Sequence, residues 1–217
     1  MSAAVQPINS PPTDSADRRT RILDAAEACF VRAGFHRTTM QDVASAAGMS
    51  AGNLYRYFPS KDSMVEGLCE RDRADLAADF AGFGDATDFM THFFALGRKH
   101  FRDEPREKAV MCLQIWAEAT RSPVVARLAA DFAEDVTGRL AALLERARSA
   151  GDIHPGTDPH AVAILIATLA DGLFVRRAVV PTFDPDREVP LVLNLIFAIV
   201  SGAMPPPSDR CASEISP

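Results

Sequence analysis

The stretch Thr38–Lys61, TTMQDVASAAGMSAGNLYRYFPSK, holds two short helices, a glycine turn and a row of polar side chains. Either Thr38 or Thr39 can cap the first helix by accepting a bond from a first-turn amide, with Gln41 or Asp42 complementing that turn. Met40, Val43, Ala44 and Ala47 then recur on one face. Gly48 suits the turn because glycine adopts left-handed backbone without steric cost, and Ser50 caps a second helix over Ala51–Arg56. A helix of about two turns does not hold itself together in water. Leu54 and Phe58 must therefore dock it against neighbours, leaving Ser50, Ala51, Gly52 and Asn53, then Tyr55, Arg56 and Tyr57, facing outward. Small residues at the start of such a helix let its backbone approach base edges or phosphates.

Upstream, Arg18–Gly34 reads as a longer helix with Ile22, Leu23, Ala26, Phe30 and Ala33 on its buried stripe and Gly34 as its stop. Three helices in this order make a small head. Downstream, Pro59 and Ser60 restart the chain, and Lys61 falls in the first turn of the next helix, where the helix dipole does not favour a cation. A phosphate lying against that helix end would explain its charge; a solvated lysine is the alternative. Residues 18–61 hold seven Lys or Arg against three Asp or Glu, a net of +4 in a chain whose formal net is −6, so positive charge is segregated at one end. Arg18, Arg19, Arg21, His36 and Arg37 are further cations or polar groups placed to reach a nucleic-acid backbone.

These residues resemble the N-terminal domain of the TetR family of bacterial transcriptional repressors. The match runs from about Arg19 through Leu68 and carries RILDAAEACFVRAGFHRTTMQDVASAAGMSAGNLYRYFPSKDSMVEGL. It departs mildly at Ala51, where a charged residue is common, and at Met64, where leucine is usual. The resemblance implies that Thr39, Tyr55, Tyr57 and Lys61 lie on or near phosphates, and that Ser50–Asn53 and Arg56 approach the major groove. The candidate DNA-contacting set is thus Thr38, Thr39, Ser50, Ala51, Gly52, Asn53, Tyr55, Arg56, Tyr57 and Lys61. Packing roles for Tyr55 and Tyr57, and a capping role for Thr39, remain open beside it.

The chain has 217 residues, 47% of them hydrophobic, which allows a second helical body with its own core. Residues 1–15, with Pro7, Pro11 and Pro12, read as a disordered tail rather than a signal peptide, and 205–217 as a flexible tail. Between them fall a helix-turn-helix DNA-binding domain at 16–60 and a ligand-binding and dimerisation domain at 61–204. Cys29, Cys69, Cys112 and Cys211 show neither pair spacing nor company with histidine, so the expectation is a cytoplasmic protein with reduced thiols, no metal, no cofactor and no membrane span. Periodicity places helices at Ser60–Phe80, around Phe89–Phe101, at Pro105–Ala119, Ser122–Ala150, Asp158–Val180 and Arg187–Ala203. The fold class is all-α, about nine helices in total, with no strand alternation.

The last two helices, VAILIATLADGLFV and VPLVLNLIFAIV, are apolar around much of their circumference. A contact between two copies would bury them, with Ala167, Ala170, Asp171, Phe174, Leu193 and Phe197 as candidate interface residues. The reading beside it makes them inner helices of one bundle. LQIWAEATRSPVVARL and LLERARSAGDIHPGTDPHAVAILIATLADGLFVRR also resemble the C-terminal region of regulators grouped with the betaine and choline repressor, through Trp116, Glu118, Pro123, Gly151–Pro159 and Asp171-Gly172-Leu173. An effector pocket is expected around His92, Phe93, Met111, Cys112, Trp116 and Phe174, although each can equally be core. Asp171 is the odd charge in an apolar helix, and burial would call for a partner: Arg176, Arg177 or a helix-end amide, with an ion pair at the dimer interface expected rather than a catalytic acid. Taken together, the expected partners are double-stranded operator DNA, a small-molecule effector of unknown identity and a second copy of the chain; the expected action is repression from a palindromic operator. An activator with the same head and a helical adaptor are the alternatives. No nucleophile, base and orienting group assemble into an enzyme site.

Overall fold

The computed structural model describes residues 13–82 and 89–204, all of whose regular structure is helical. The two expected tails lie outside these residues except at 13–15, where the first helix has already begun. By compactness the chain divides into two units, one ending at Gly67 and one beginning at Leu68.

The first unit contains α1 (Thr13–Ala33), α2 (Met40–Ala46), α3 (Ala51–Tyr55) and the start of α4 (Lys61–Ala81). Its core is Ile22, Leu23, Ala26 and Phe30 from α1, Val43, Ala44 and Ala47, then Leu54, Phe58, Met64 and Val65. Gly34 ends α1 with φ +84°, and its amide donates to Phe30 O at 2.8 Å. Gly67 matters for a different reason. A Cβ there would stand 2.9 Å from Phe58 Cε1 and 3.0 Å from Leu23 Cδ2, so its missing side chain is what lets α4 lie against both.

The second unit comprises the rest of α4, then α5 (Phe89–Arg98), a π-helical turn (Lys99–Asp103), α6 (Arg106–Ala119), α7 (Pro123–Ala150), α8 (Pro159–Val179) and α9 (Pro185–Val200). Three of these helices start with the same local device. Ser122, Asp158 and Asp184 cap α7, α8 and α9, each followed by proline at the first helical position, where a missing N–H costs nothing. The Asp184-Pro185 start moves α9 two residues ahead of the expected Arg187, and the helix ends at Val200 rather than Ala203. Phe80, Phe89, Phe93, Leu143, Leu144, Ala163, Ile166, Ile196 and Val200 form the centre of this unit's core. Among the described residues no helix is long and apolar enough to cross a membrane.

Gly67→Val should destabilise the first unit by about 1–3 kcal/mol through overpacking against Phe58 and Leu23. Urea unfolding read by circular dichroism checks it; an unchanged midpoint contradicts the close approach.

Candidate nucleic-acid interface

The start of α2 settles which threonine does what. Thr39 is the cap: its Oγ1 accepts from Asp42 N at 3.2 Å and donates to Asp42 Oδ2 at 2.7 Å, while its own amide donates to the same carboxylate oxygen at 2.8 Å. These bonds from the Thr39 side chain and backbone hold the exposed Asp42 carboxyl below its ordinary value. Thr39 remains exposed, but its hydroxyl proton is committed to Asp42. Thr38 is different. It is 2% exposed, and its hydroxyl donates inward to the carbonyls of Cys29 (3.1 Å) and Gly34 (2.9 Å). The expectation that Thr38 belongs to the outer surface is therefore corrected: it ties the end of α1 to the start of α2.

Gly48 takes φ +66° in the turn between the two short helices, and Ser50 caps α3 by accepting from Asn53 N at 3.3 Å. Leu54 and Phe58 are 0% and 1% exposed, so α3 is held by its inner side. Ser50, Gly52, Tyr55 and Arg56 are exposed on the other side, and Ala51, Asn53 and Tyr57 are half-buried beside them. Tyr55, at 51% exposure, is the large apolar surface of this patch. A Cβ built on Gly52 meets nothing within 4 Å, so the protein itself gives no steric reason for glycine there.

Lys61 has a partner that its neighbours in sequence do not disclose. Its Nζ donates to Phe35 O at 2.6 Å and His36 O at 3.4 Å and stands 4.4 Å from the centre of the Phe35 ring. These contacts account for a cation at the start of α4 without a phosphate. Because the acceptors are neutral, the positive charge persists on this face. Arg37 behaves likewise, donating from Nε to Ala33 O at 2.9 Å.

The expected pocket residues divide among several places in the second unit. Trp116 and Phe174 meet edge to face at 6.4 Å, and Phe174 meets Phe101 at 5.8 Å. Phe93 instead stacks on Phe89 in the core, Met111 is buried and Cys112 half-buried, and exposed His92 lines a separate depression of about 220 Å³ with Asp79, Leu96 and Lys99. Asp79 itself accepts from Lys99 Nζ and from His100 Nε2 at 2.9 Å; its burial works to raise the carboxyl, but these bonds outweigh it and the carboxyl sits below its ordinary value.

Of the expected interface residues, Leu193 is buried within the chain, where its side chain fills the space beside Gly97; it is not on a free face. Phe197 is 44% exposed, Asp171 is exposed, and Ala167, Ala170 and Phe174 are half-buried. The open apolar positions are Ile164 (49%), Val175, Val179 and Leu191 (64%), which sequence reading did not single out because both helices are apolar nearly all round. Asp171 also lacks the expected arginine. Arg176 donates to Glu188 at 2.6 Å, and Arg177 to the carbonyls of Phe101, Arg102 and Glu104. Although its side chain reaches solvent, desolvation raises the Asp171 carboxyl above its ordinary value.

A trihelical head with a docked, outward-facing second helix defines a helix-turn-helix DNA-binding regulator. The family model for bacterial regulatory proteins of the tetR family matches residues 22–68, and that for the C-terminal part of BetI-type transcriptional repressors matches 98–200. The HTH-type transcriptional repressor KstR of Mycolicibacterium smegmatis is 32% identical over 155 residues, 70% of this chain and 72% of the relative. The HTH-type transcriptional regulator UidR of Escherichia coli is 26% identical over 161 residues, 74% of this chain and 82% of the relative. The chain belongs to the TetR family. Its fold is shared with GusR of Salmonella enterica (TM-score 0.75, 24% identity, covering 88% of this chain and 99% of that one). It is shared as well with a regulator from Saccharomonospora viridis solved in complex with choline (TM-score 0.70, 22% identity, covering 84% and 96%).

Two expectations test the interface geometry. Gly48→Ala should cost about 1–2 kcal/mol, because an L side chain is strained at this positive φ, and thermal unfolding reads it. The stability advantage of wild type over Asp42→Asn should be full above pH about 4, the ordinary carboxyl value of the unfolded chain. It should fade as pH falls through the depressed native value, which paired denaturant titrations from pH 7 to 2 resolve.

Proposed function

We propose that this TetR-family regulator is a homodimeric repressor that occupies a palindromic operator through the outer side of α3 and is released by a small-molecule effector held in the second unit. The observation that carries the DNA reading is the surface of α3: Ser50, Gly52, Tyr55 and Arg56 exposed on a helix fixed from behind by Leu54. Half-buried Ala51, Asn53 and Tyr57 flank it, and the committed hydroxyl of Thr39 leaves that residue a positional role at the edge. Lys61 adds long-range attraction for phosphate while holding the Phe35–His36 carbonyls.

The exposed stripe of Ile164, Val175 and Val179 on α8, with Leu191 and Phe197 on α9, supports pairing with a second copy. Two heads so joined reach successive major grooves roughly 34 Å apart. The match of residues 98–200 to BetI-type repressors supports the betaine/choline-repressor-like subgroup for this half. Effector and DNA then act reciprocally: whichever state the effector prefers binds operator less tightly, by the same factor in both directions.

Gly52→Ala separates folding from recognition. Replacing an unhindered helical glycine should stabilise the free protein by about 0.5–1 kcal/mol, yet weaken operator binding by roughly tenfold or more if DNA approaches the bare backbone. Differential scanning fluorimetry and fluorescence anisotropy with promoter fragments read the two effects; undiminished, salt-insensitive DNA binding sinks the α3 reading. The double variant Ile164→Asp with Leu191→Asp should convert the dimer to a folded monomer in analytical ultracentrifugation, since neither side chain is needed inside the protomer.

A further inference from the structure

The turn between α8 and α9 closes a depression of about 200 Å³ lined by Arg106, Arg177, Val180, Pro181, Phe183 and Pro185. We propose that this depression binds a small carboxylate with an apolar body, of the size of benzoate or a short branched acyl acid. This site does not depend on the DNA-binding reading, and neither Trp116 nor Phe174 lines it.

The lining holds two guanidiniums and no carboxylate. On the α9 side, Glu188 accepts from Arg176 at 2.6 Å, Asp186 from Arg102 at 2.5 Å, and Asp184 caps α9 by accepting from Asp186 N at 3.0 Å; Asp103, Glu104 and Glu107, near Arg106 in sequence, do not line the depression. Arg106 donates from Nη2 to Ala178 O, which uses one of the five N–H groups of a guanidinium. Arg177 donates to three backbone carbonyls, those of Phe101, Arg102 and Glu104. Those bonds fix the plane of its head group without cancelling its charge, because carbonyl oxygens are neutral. Among the described residues no ion pair joins Arg106 or Arg177 to a carboxylate, and the carbonyl bonds hold Arg177 in one orientation.

The rest of the wall is apolar and stiff. Pro181 and Pro185 have restricted backbones, and the turn between them is closed by Phe183 N donating to Val180 O at 3.1 Å. Arg106, with four N–H groups left, can meet a carboxylate through parallel charge-assisted bonds better than it meets a neutral amide; Arg177, both of whose Nη2 hydrogens are taken, adds its charge. Valine, proline and phenylalanine surfaces favour a ring or branched chain over a hydrated anion such as acetate. The volume is below the roughly 300–1,000 Å³ of drug-sized sites, which limits the ligand to about ten non-hydrogen atoms. A ligand of that size at ordinary efficiency binds with a Kd of about 0.1–1 mM.

Isothermal titration of the full chain with benzoate, benzamide and benzylammonium at constant ionic strength tests this. Benzoate should saturate one site per chain, and the neutral and cationic analogues should bind at least tenfold more weakly. Arg106→Gln should weaken benzoate by roughly tenfold with an unchanged melting curve. If that variant does not fold, Pro181→Glu, at an exposed rim position, serves instead: its carboxylate should abolish binding while leaving both arginines' bonds in place. Absence of saturable benzoate binding below about 10 mM, benzamide binding as well as benzoate, or full benzoate affinity in the folded variant overturns the proposal.

Discussion

Everything the head presents to its surroundings depends on how one short helix is gripped from the inside. Five residues of α3 cannot maintain helical order alone, so its geometry is borrowed from Leu54 and Phe58. Phe58 is clasped between helices: the Arg19 guanidinium lies 4.6 Å from its ring centre, and α4 comes against it where Gly67 has no side chain. A residue that must sit in so confined a place fixes the chain on either side of it. The polar side of α3 is thereby oriented from behind, with Ser50 adding the cap at its start.

Two cations of the head and four of the second unit contrast in their partners. In the head, Lys61 and Arg37 are anchored on backbone carbonyls and keep their charge. In the second unit, Lys99, Lys108, Arg102 and Arg176 lie against Asp79, Asp72, Asp186 and Glu188, where each charge is largely cancelled by its neighbour. Segregation of charge along the chain is thus reinforced by the choice of partner. Arg106 and Arg177 depart from their unit's habit by bonding carbonyls, as the head's cations do.

Helices were legible where a strong local signal marked them, as with Gly34 and Gly48 at the stops, Ser50 as a cap, and Leu54 and Phe58 one turn apart on the buried side; the Asp184-Pro185 start of α9 was equally local and went unread. What was not legible needed information from far along the chain or from the other side of a helix. Thr38 and Thr39 are equally good caps on paper, and only the inward carbonyls of Cys29 and Gly34 decide between them. The partner of Lys61 lies 26 residues away. On α9, apolar residues on every side leave Leu191 and Leu193 indistinguishable until the neighbouring Gly97 shows which one is inside. Phe93 shows the same limit, since its stacking on Phe89 within the core depends on packing that spacing alone does not reveal.

The π-helical turn at Lys99–Asp103, closed by Glu104 N donating to Lys99 O at 3.2 Å, contains one residue more per ring than the α-helices around it. Loss of a single residue there would turn the wide ring into an ordinary α-helical one and so change the spacing of the carbonyls of Phe101, Arg102 and Glu104. All three accept from the single guanidinium of Arg177 on α8. The width of this turn is thus matched to the head group of one side chain far along the chain.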